Sequence, residues 1–391
     1  MTSVAEHQRA VAELIGRLWR PAAETLPLGA ALGRTLAADV ATPIDLPPFD
    51  NAQMDGYAVR SDASAGELAV TGHVAAGDPV GVFPGGAVAI MTGAPLPQGA
   101  DAVVPVEQVG SFRAVGSTID LAEPTPAETF VRRRGSDLPA GATLLPAGAR
   151  LGPPQLGALA AAGVEVVPVR ARPRVLVVST GAELAEPGAA LPPGKIYDAN
   201  ALSLAAAVTE AGGIALATSV RSDAPAVLLS ALESAGPVDL VVTSGGVSAG
   251  AHEVVREALA PRGVRFGSVA MQPGGPQGLG ELAVAGRPTP VLAFPGNPVS
   301  VLVSFELFLR PVLRGARRSE RGRLAASVES PAAKHQVRRG RVTADGSVEL
   351  EGGPSSHLIA AYARSQALVH IPAGVEHLDA GDEVEIWRID D

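Results

Sequence analysis

Three short turns of small residues have the makings of an anion site. They read Ser179-Thr180-Gly181-Ala182-Glu183, Ser244-Gly245-Gly246-Val247-Ser248-Ala249-Gly250 and Pro295-Gly296-Asn297-Pro298, each between an apolar run and a helix-like stretch. Glycines let backbone N–H groups approach a phosphate or other oxyanion, and a helix N-terminus adds partial positive charge. Asn297 suits an N-cap and Pro298 the first helical position, so this helix start is well specified. One such turn alone is more often plain connection than a phosphate site. Three at the ends of strands of one sheet reverse that balance, because an open α/β sheet takes its ligands outside the carboxyl ends of its strands. No GxxxxGK[ST] sequence is present, which excludes a P-loop enzyme.

Carboxylates form a second group. Glu183, Asp198 and Asp223 fall at strand ends or helix starts, and Glu253 follows the glycine-rich turn. A lone acid at a helix start is usually a cap, and Asp223, followed by Ala224 and Pro225, fits that role. Several carboxylates converging beside phosphate-binding turns would instead hold Mg²⁺, a hard ion that takes oxygen ligands and keeps part of its water. The seven histidines show no zinc spacing. A third group lies earlier: Asp50-Asn51-Ala52-Gln53-Met54-Asp55-Gly56-Tyr57-Ala58-Val59-Arg60, Met91-Thr92-Gly93-Ala94-Pro95 and Arg132-Arg133-Arg134-Gly135-Ser136-Asp137. Turn residues fill these stretches, so structural loops and site loops are both open readings. The triple arginine is either a solvated face or a source of charge against a phosphate.

The elements that must position these groups follow from apolar periodicity. Val4, Val11, Leu14, Ile15 and Leu18 recur at helical spacing, predicting a helix through the first twenty residues that stops at Pro21. From 42 to 140 short apolar runs alternate with Gly, Pro and Asp, the pattern of a small β-rich domain. From Arg174 strand-like runs at 175–178, 214–219, 240–243 and 291–294 alternate with helix-like stretches at 202–210, 227–234, Val254–Leu259 and 299–313. That alternation predicts a mostly parallel sheet with covering helices. Residues 324–391 return to short strands, among them 383–387, and predict a separate β-barrel-like module.

Composition bounds the partners. At 391 residues, with 47% hydrophobic and 18% charged residues, the chain has material for several packed domains. With 3% aromatic residues those cores must be Ala, Val and Leu. A net charge of −9 argues against nucleic acid, which needs a concentrated basic surface. The absence of cysteine removes disulfides, thiolate metal sites and cysteine nucleophiles. The most apolar stretch, 201–220, is broken by Thr209, Glu210, Gly212 and Gly213, so no membrane span is expected. Glu6, Arg9 and Glu13 make the N-terminus an amphipathic helix and not a signal peptide, and a cytoplasmic location is expected.

Taken in order, PFDNAQMDGYAVR, MTGAP, RRRGSD, STGAEL, IYDAN, SGGVSAG and PGNPVS resemble the molybdopterin molybdenumtransferase family, MoeA of bacteria and the E domain of gephyrin in animals. PGNPVS with SGGVS is shared among molybdopterin-binding domains, and the MDGYAVR block narrows the choice to the transferases. The resemblance implies an elongated multidomain α/β plus β chain: a discontinuous linking domain (21–41 and 141–171), a β-rich domain (42–140), an α/β molybdopterin-binding domain (1–20 and 172–316) and a C-terminal β-barrel-like domain (317–391). It implies a homodimer whose cleft takes Asp55, Thr92 and Asp137 from one chain and the α/β domain from the other. Asp55, Thr92, Asp137 and Glu183 would then be catalytic. Asp198, Asn200, Gly245, Gly246, Ser248, Pro295, Gly296, Asn297 and Pro298 would bind pterin phosphate and nucleotide. Ser300, Arg339 and Ser356 would face molybdate, and Glu183, Asp223 and Glu253 would surround Mg²⁺. The implied activity is insertion of molybdate into adenylylated molybdopterin with release of AMP, the substrate coming from an upstream molybdopterin adenylyltransferase. The alternative is a paralogue that binds molybdopterin or molybdate without inserting metal. Two departures bear on that choice. Where the family commonly carries two lysines in a KPGKP pattern, this chain reads Met271-Gln272-Pro273-Gly274-Gly275-Pro276-Gln277-Gly278, and only Lys195 and Lys334 occur anywhere. Arg339 and Arg221 are the candidates to replace that charge. Glu253 stands where the family usually has Asp.

Overall fold

The computed structural model describes residues 1–248 and 253–390. Its internal contacts divide into two compact units, Met1–Ala22 with Ala171–Asp391, and Ala23–Arg170.

In the first unit, Ser3 and Glu6 form a reciprocal capping box that starts the helix Val4–Leu18. Its apolar stripe buries Val11 and Ile15, while Gln8 Nε2 donates to the Leu307 carbonyl at 3.0 Å. The six-stranded sheet beneath runs in the order Ile214–Val220, Arg174–Thr180, Leu240–Ser244, Arg287–Phe294, Pro276–Val284, Arg265–Ser268. The first four strands are parallel; Arg174–Thr180, Leu240–Ser244 and Arg287–Phe294 are largely buried and carry continuous apolar runs in the sequence, while Ile214–Val220 is a half-exposed edge. The last two are antiparallel additions that the sequence reading missed. Gly278 and Gly280 there look like turn residues, but close packing requires them. A Cβ at Gly278 would lie 2.6 Å from Phe266 Cε1, and one at Gly280 would lie 2.6 Å from Val264 Cα.

The helix expected over 299–313 is three segments: α over Pro298–Ser304, a π turn over Phe305–Leu309 and α over Arg310–Leu313. Here Glu306 and Arg310 are buried, with Glu306 paired to Arg317 at 2.7 and 2.9 Å, so charged residues occupy an apparently apolar helix face. The C-terminal strands His335–Val342, Ser347–Leu350, Ser319–Leu324, Glu383–Arg388 and Ala367–Ile371 pair in that order, and the last closes on the first as a five-stranded barrel. Met271–Gln272 adds in parallel to the edge His335–Gln336, so a segment of the α/β domain is sewn into the barrel sheet.

The second unit holds a five-stranded sheet, ordered Ala102–Pro105, Gly56–Val59, Ala87–Ile90, Gly66–Val74, Thr118–Leu121. A separate small core joins Ala31 and Leu36 with Leu151, Leu159, Val167 and Val169, supported by pairing of Ala23–Pro27 with Val166–Arg170. No helix among the described residues is long and apolar enough to cross a membrane.

Candidate functional site

The turns after Arg174–Thr180, Leu240–Ser244 and Arg287–Phe294 close on one cavity of about 690 Å³ at the carboxyl ends of the parallel strands. Glycine is needed because the turns touch one another through their backbones. A Cβ on Gly245, whose φ is +92°, would lie 2.6 Å from the Thr180 carbonyl oxygen; one on Gly246 (φ +63°) would lie 2.8 Å from Val255 N. Gly296 packs against Gly245 with only 3.3 Å for such a carbon.

Of the residues singled out in the sequence, Glu183, Asp198, Asn200, Asp223, Gly245, Gly246, Ser248, Glu253, the Pro295-Gly296-Asn297-Pro298 turn, Ser300 and Ser356 all line this cavity. Ala249 and Gly250 of the second turn lie outside the described residues. Asp198 is only 3% exposed and fully engaged: Oδ1 accepts from Asn200 N (3.0 Å) and Ala201 N (3.1 Å), and Oδ2 from Ser219 Oγ (2.6 Å). It fixes the start of the helix Asn200–Glu210 from a position on the cavity wall. Asn200 ties this helix to the third turn, donating Nδ2 to the Gly296 carbonyl at 2.7 Å. Asn297 occupies the N-cap position but makes no capping bond; its Nδ2 instead donates to Ser356 Oγ at 2.8 Å, joining the turn to the barrel.

The expected metal neighbourhood is not a preassembled cage. Glu183, Asp223 and Glu253 share the cavity wall, yet no three acidic or imidazole groups among the described residues converge as a metal site. Asp223 Oδ1 accepts from Ala182 N at 3.2 Å, and Glu253 Oε2 from Ser248 N at 2.9 Å, so each is partly committed to holding a turn. Hard oxygen donors of this kind fit Mg²⁺ when substrate phosphates supply the remaining ligands, since Mg²⁺ is usually held by only one or two carboxylates. They do not fit an ion held by protein alone.

Neither candidate for the missing cation reaches the cavity wall. Arg339 is fully buried, and its Nη2 donates to the Gly353 and Ser355 carbonyls, supporting the segment that carries Ser356 from beneath. Arg221 pairs with Glu186 at 3.3 Å. Among the described lining residues there is no lysine or arginine. In their place stands Gln272, half-buried, whose Oε1 accepts from Gln336 Nε2 at 2.8 Å. Residues 354–357 also line the cavity; only Ser356 had been singled out there, because contact between barrel and sheet leaves no trace in local periodicity.

In the second unit, Asp55 sits at the tip before the buried strand Gly56–Val59. Its Oδ1 accepts from Thr92 N (2.6 Å) and Thr92 Oγ1 (2.7 Å), bonds that hold its carboxyl below the usual range. Gly56 is obligatory, since a Cβ there would lie 1.9 Å from the Val104 carbonyl oxygen. Asp137 is exposed, its N–H donating to Leu46 O at 2.9 Å. In the arginine run, Arg133 pairs with Asp50 at 2.5 Å and with Glu128, and Arg134 with Asp45. Those two arginines therefore brace loops of their own unit.

Fold and cavity put the chain in the class of α/β proteins that take a ligand at the tips of parallel strands, here with a barrel supplying one wall. Three family models match it: the MoeA N-terminal region (domain I and II) over residues 2–163, the probable molybdopterin binding domain over 176–315 and the MoeA C-terminal region (domain IV) over 321–389. Molybdopterin molybdenumtransferase 2 of Mycobacterium tuberculosis is 44% identical across 100% of both chains, and the molybdopterin molybdenumtransferase of Nostoc is 35% identical over 94% of this chain and 88% of its own. Among solved structures, a molybdopterin biosynthesis MoeA protein from Pyrococcus horikoshii superposes with a TM-score of 0.79 at 32% identity, covering 99% of each chain. The chain belongs to the MoeA family of molybdopterin molybdenumtransferases.

Proposed function

We propose that this chain inserts molybdate into adenylylated molybdopterin, releasing AMP, as a cytoplasmic homodimer assisted by Mg²⁺. The observation that carries this reading is the meeting of three glycine turns at one cavity, within a chain that matches transferases over its whole length. The backbone N–H groups of the turns at Gly245, Gly246 and Gly296 receive the pterin phosphate and nucleotide. Molybdate, as substrate, docks by Ser300 and Ser356, with the Gln272 amide supplying neutral N–H donors. Glu183, Asp223 and Glu253 would hold Mg²⁺ together with the substrate phosphates, and the bound ion would neutralise charge at the anhydride. In the proposed homodimer Asp55, Thr92 and Asp137 would complete the cleft from the second subunit. Positioning and electrostatic stabilisation, not a covalent nucleophile, supply most of the rate.

Purified protein incubated with adenylylated molybdopterin, molybdate and Mg²⁺ should release AMP and yield metal-loaded cofactor. Asp55→Ala and Glu183→Gln should each abolish turnover while leaving the fold intact. Substrate binding by the wild type without AMP release would favour the non-inserting alternative; full activity in both variants would refute the site assignment.

A further inference from the structure

A second cavity, of about 680 Å³, opens in the C-terminal barrel, lined by Ser327, Glu329, Arg338, Glu349 and Gly352 among others. Pro354 lines both this cavity and the one at the strand tips. Arg338 and Arg339 are consecutive on the strand His335–Val342, so their side chains leave opposite faces of the sheet. Both are buried, at 8% and 0% exposure, and both hold residues 352–355 by carbonyl oxygens. Arg338 Nη2 donates to Gly352 O at 3.0 Å, and Arg339 takes Gly353 and Ser355.

Charge does not balance around Arg338. The two carboxylates of the cavity are each matched to another cation. Glu349 pairs with Arg341 at 2.8 Å, and Glu329 with His377 at 2.7 Å, whose imidazole is pushed toward its charged form by Asp379 and Glu329. Arg338 has no carboxylate within ion-pair distance among the described residues, and its Nε is sealed from solvent without an acceptor. Burial and the neighbouring Arg339 both work against its charged form. A guanidinium stays protonated nonetheless, so a buried and unpaired one is costly until an anion meets it. Ser327 Oγ accepts from Ala380 N at 3.2 Å, which leaves its hydroxyl proton to donate.

We propose that this second cavity binds a small oxyanion on Arg338 and Ser327. Carboxylates already satisfied by Arg341 and His377 do not compete for Arg338, and the cavity is roomy enough for a tetrahedral anion with its water. An anion held there lies behind the segment 352–356, whose other side faces the strand-tip cavity, so its occupancy bears on the seating of Ser355 and Ser356.

The test titrates the full-length protein with inorganic phosphate, sulfate and molybdate by calorimetry, comparing wild type, Arg338→Gln and Ser327→Ala. The expected result is one saturable binding event that weakens roughly tenfold or more in Arg338→Gln and less in Ser327→Ala. A second event that survives both substitutions belongs to the strand-tip cavity, which separates this proposal from the transferase reading. The rank of the three anions identifies whether phosphate, sulfate or the metal oxyanion is the occupant. Identical titrations of wild type and Arg338→Gln would overturn the proposal. Should Arg338→Gln fail to fold, crystals of the wild type soaked in molybdate decide the matter: anomalous density at Arg338 supports it, and its absence there refutes it.

Discussion

Acidification should loosen the seam that joins the α/β domain to the barrel, and His370 is the group through which to test it. His370 is 3% exposed, its Nδ1 lies 3.0 Å from His335 Nε2, and its ring packs at a tilt of 41° against Trp387 with centroids 4.2 Å apart. Glu385, which accepts from Trp387 Nε1 and Ser319 Oγ, is the acidic group facing the pair. Burial, reinforced by the like charge of His335, pushes His370 from 6.5 to about 3. Burial pushes His7, packed edge-on against Phe308, to about 4. A histidine whose folded pKa is depressed contributes stability above its unfolded value and loses it as pH falls toward the folded one. At pH 5 each group lies well inside that window, and at about 1.4 kcal/mol per pH step each costs roughly 2 kcal/mol relative to pH 7.5. Wild type should therefore lose about 4 kcal/mol over this range from the two groups. His335, also depressed by burial, adds a further loss in both proteins, so His370→Gln, which keeps an amide beside His335, should lose about 2 kcal/mol less than wild type. His377 shifts the opposite way, but identically in both proteins, so it cancels in the comparison. Urea unfolding followed by tryptophan emission suits the purpose, because Trp19 and Trp387 are the only two tryptophans and both belong to the unit in question. Equal losses in wild type and His370→Gln would refute the argument. The seam matters for function because His335 N donates to Ala270 O at 2.9 Å, and the adjoining strand Met271–Gln272 carries Gln272 into the strand-tip cavity.

Two further outcomes follow from the same geometry. Glu306→Gln should destabilise the first unit by roughly 2–4 kcal/mol in urea unfolding, since it removes the buried carboxylate beside Arg317 and Arg310, both nearly fully buried, and leaves them the half-exposed Glu210. Gln272→Lys should tighten molybdate binding at low ionic strength and make that affinity fall with added salt far more steeply than in wild type, measured by calorimetry at two salt concentrations, because it places the first cation on the described cavity wall.

What the sequence made legible tracks the range of the interactions. Parallel strands buried on both faces announce themselves as unbroken apolar runs, so Arg174–Thr180 and Leu240–Ser244 were found within a residue or three of their ends. The antiparallel strand Pro276–Val284 is hidden because its glycines answer to Phe266 on the neighbouring strand and to Val264 just before it, not to any turn. The π turn at Phe305–Leu309 was lost because a one-residue shift in hydrogen bonding leaves apolar spacing nearly unchanged. The strand-tip turns were legible as an anion site because glycine's role there is local. Their tie to Ser356 through Asn297, 59 residues apart, was not. The same distance argument hid the His335–His370 pair, whose members are 35 residues apart.

The strand-tip cavity then presents an electrostatic question that its shape alone does not answer. Four carboxylates line it, and no lysine or arginine among the described residues opposes them. Asp198 accepts from three internal donors, and Asp223 and Glu253 each accept a backbone N–H, so part of their charge is met by donors within the protein. An anionic ligand must still be met by donors, and those on hand are neutral: amides of the glycine turns, the Ser300 and Ser356 hydroxyls, and Gln272. Gln336 is the reason Gln272 can serve. By donating to Gln272 Oε1 it occupies the acceptor end of that amide and leaves Nε2 as the end with donors to give, on a residue that lines the cavity. A neutral, preoriented donor loses little to counterion screening and repels nothing when the cavity is vacant. On the proposed reading, the burden of charge balance would fall on a divalent ion carried in with the substrate phosphates, an arrangement in which carboxylates too dispersed to cage a metal would remain useful to it.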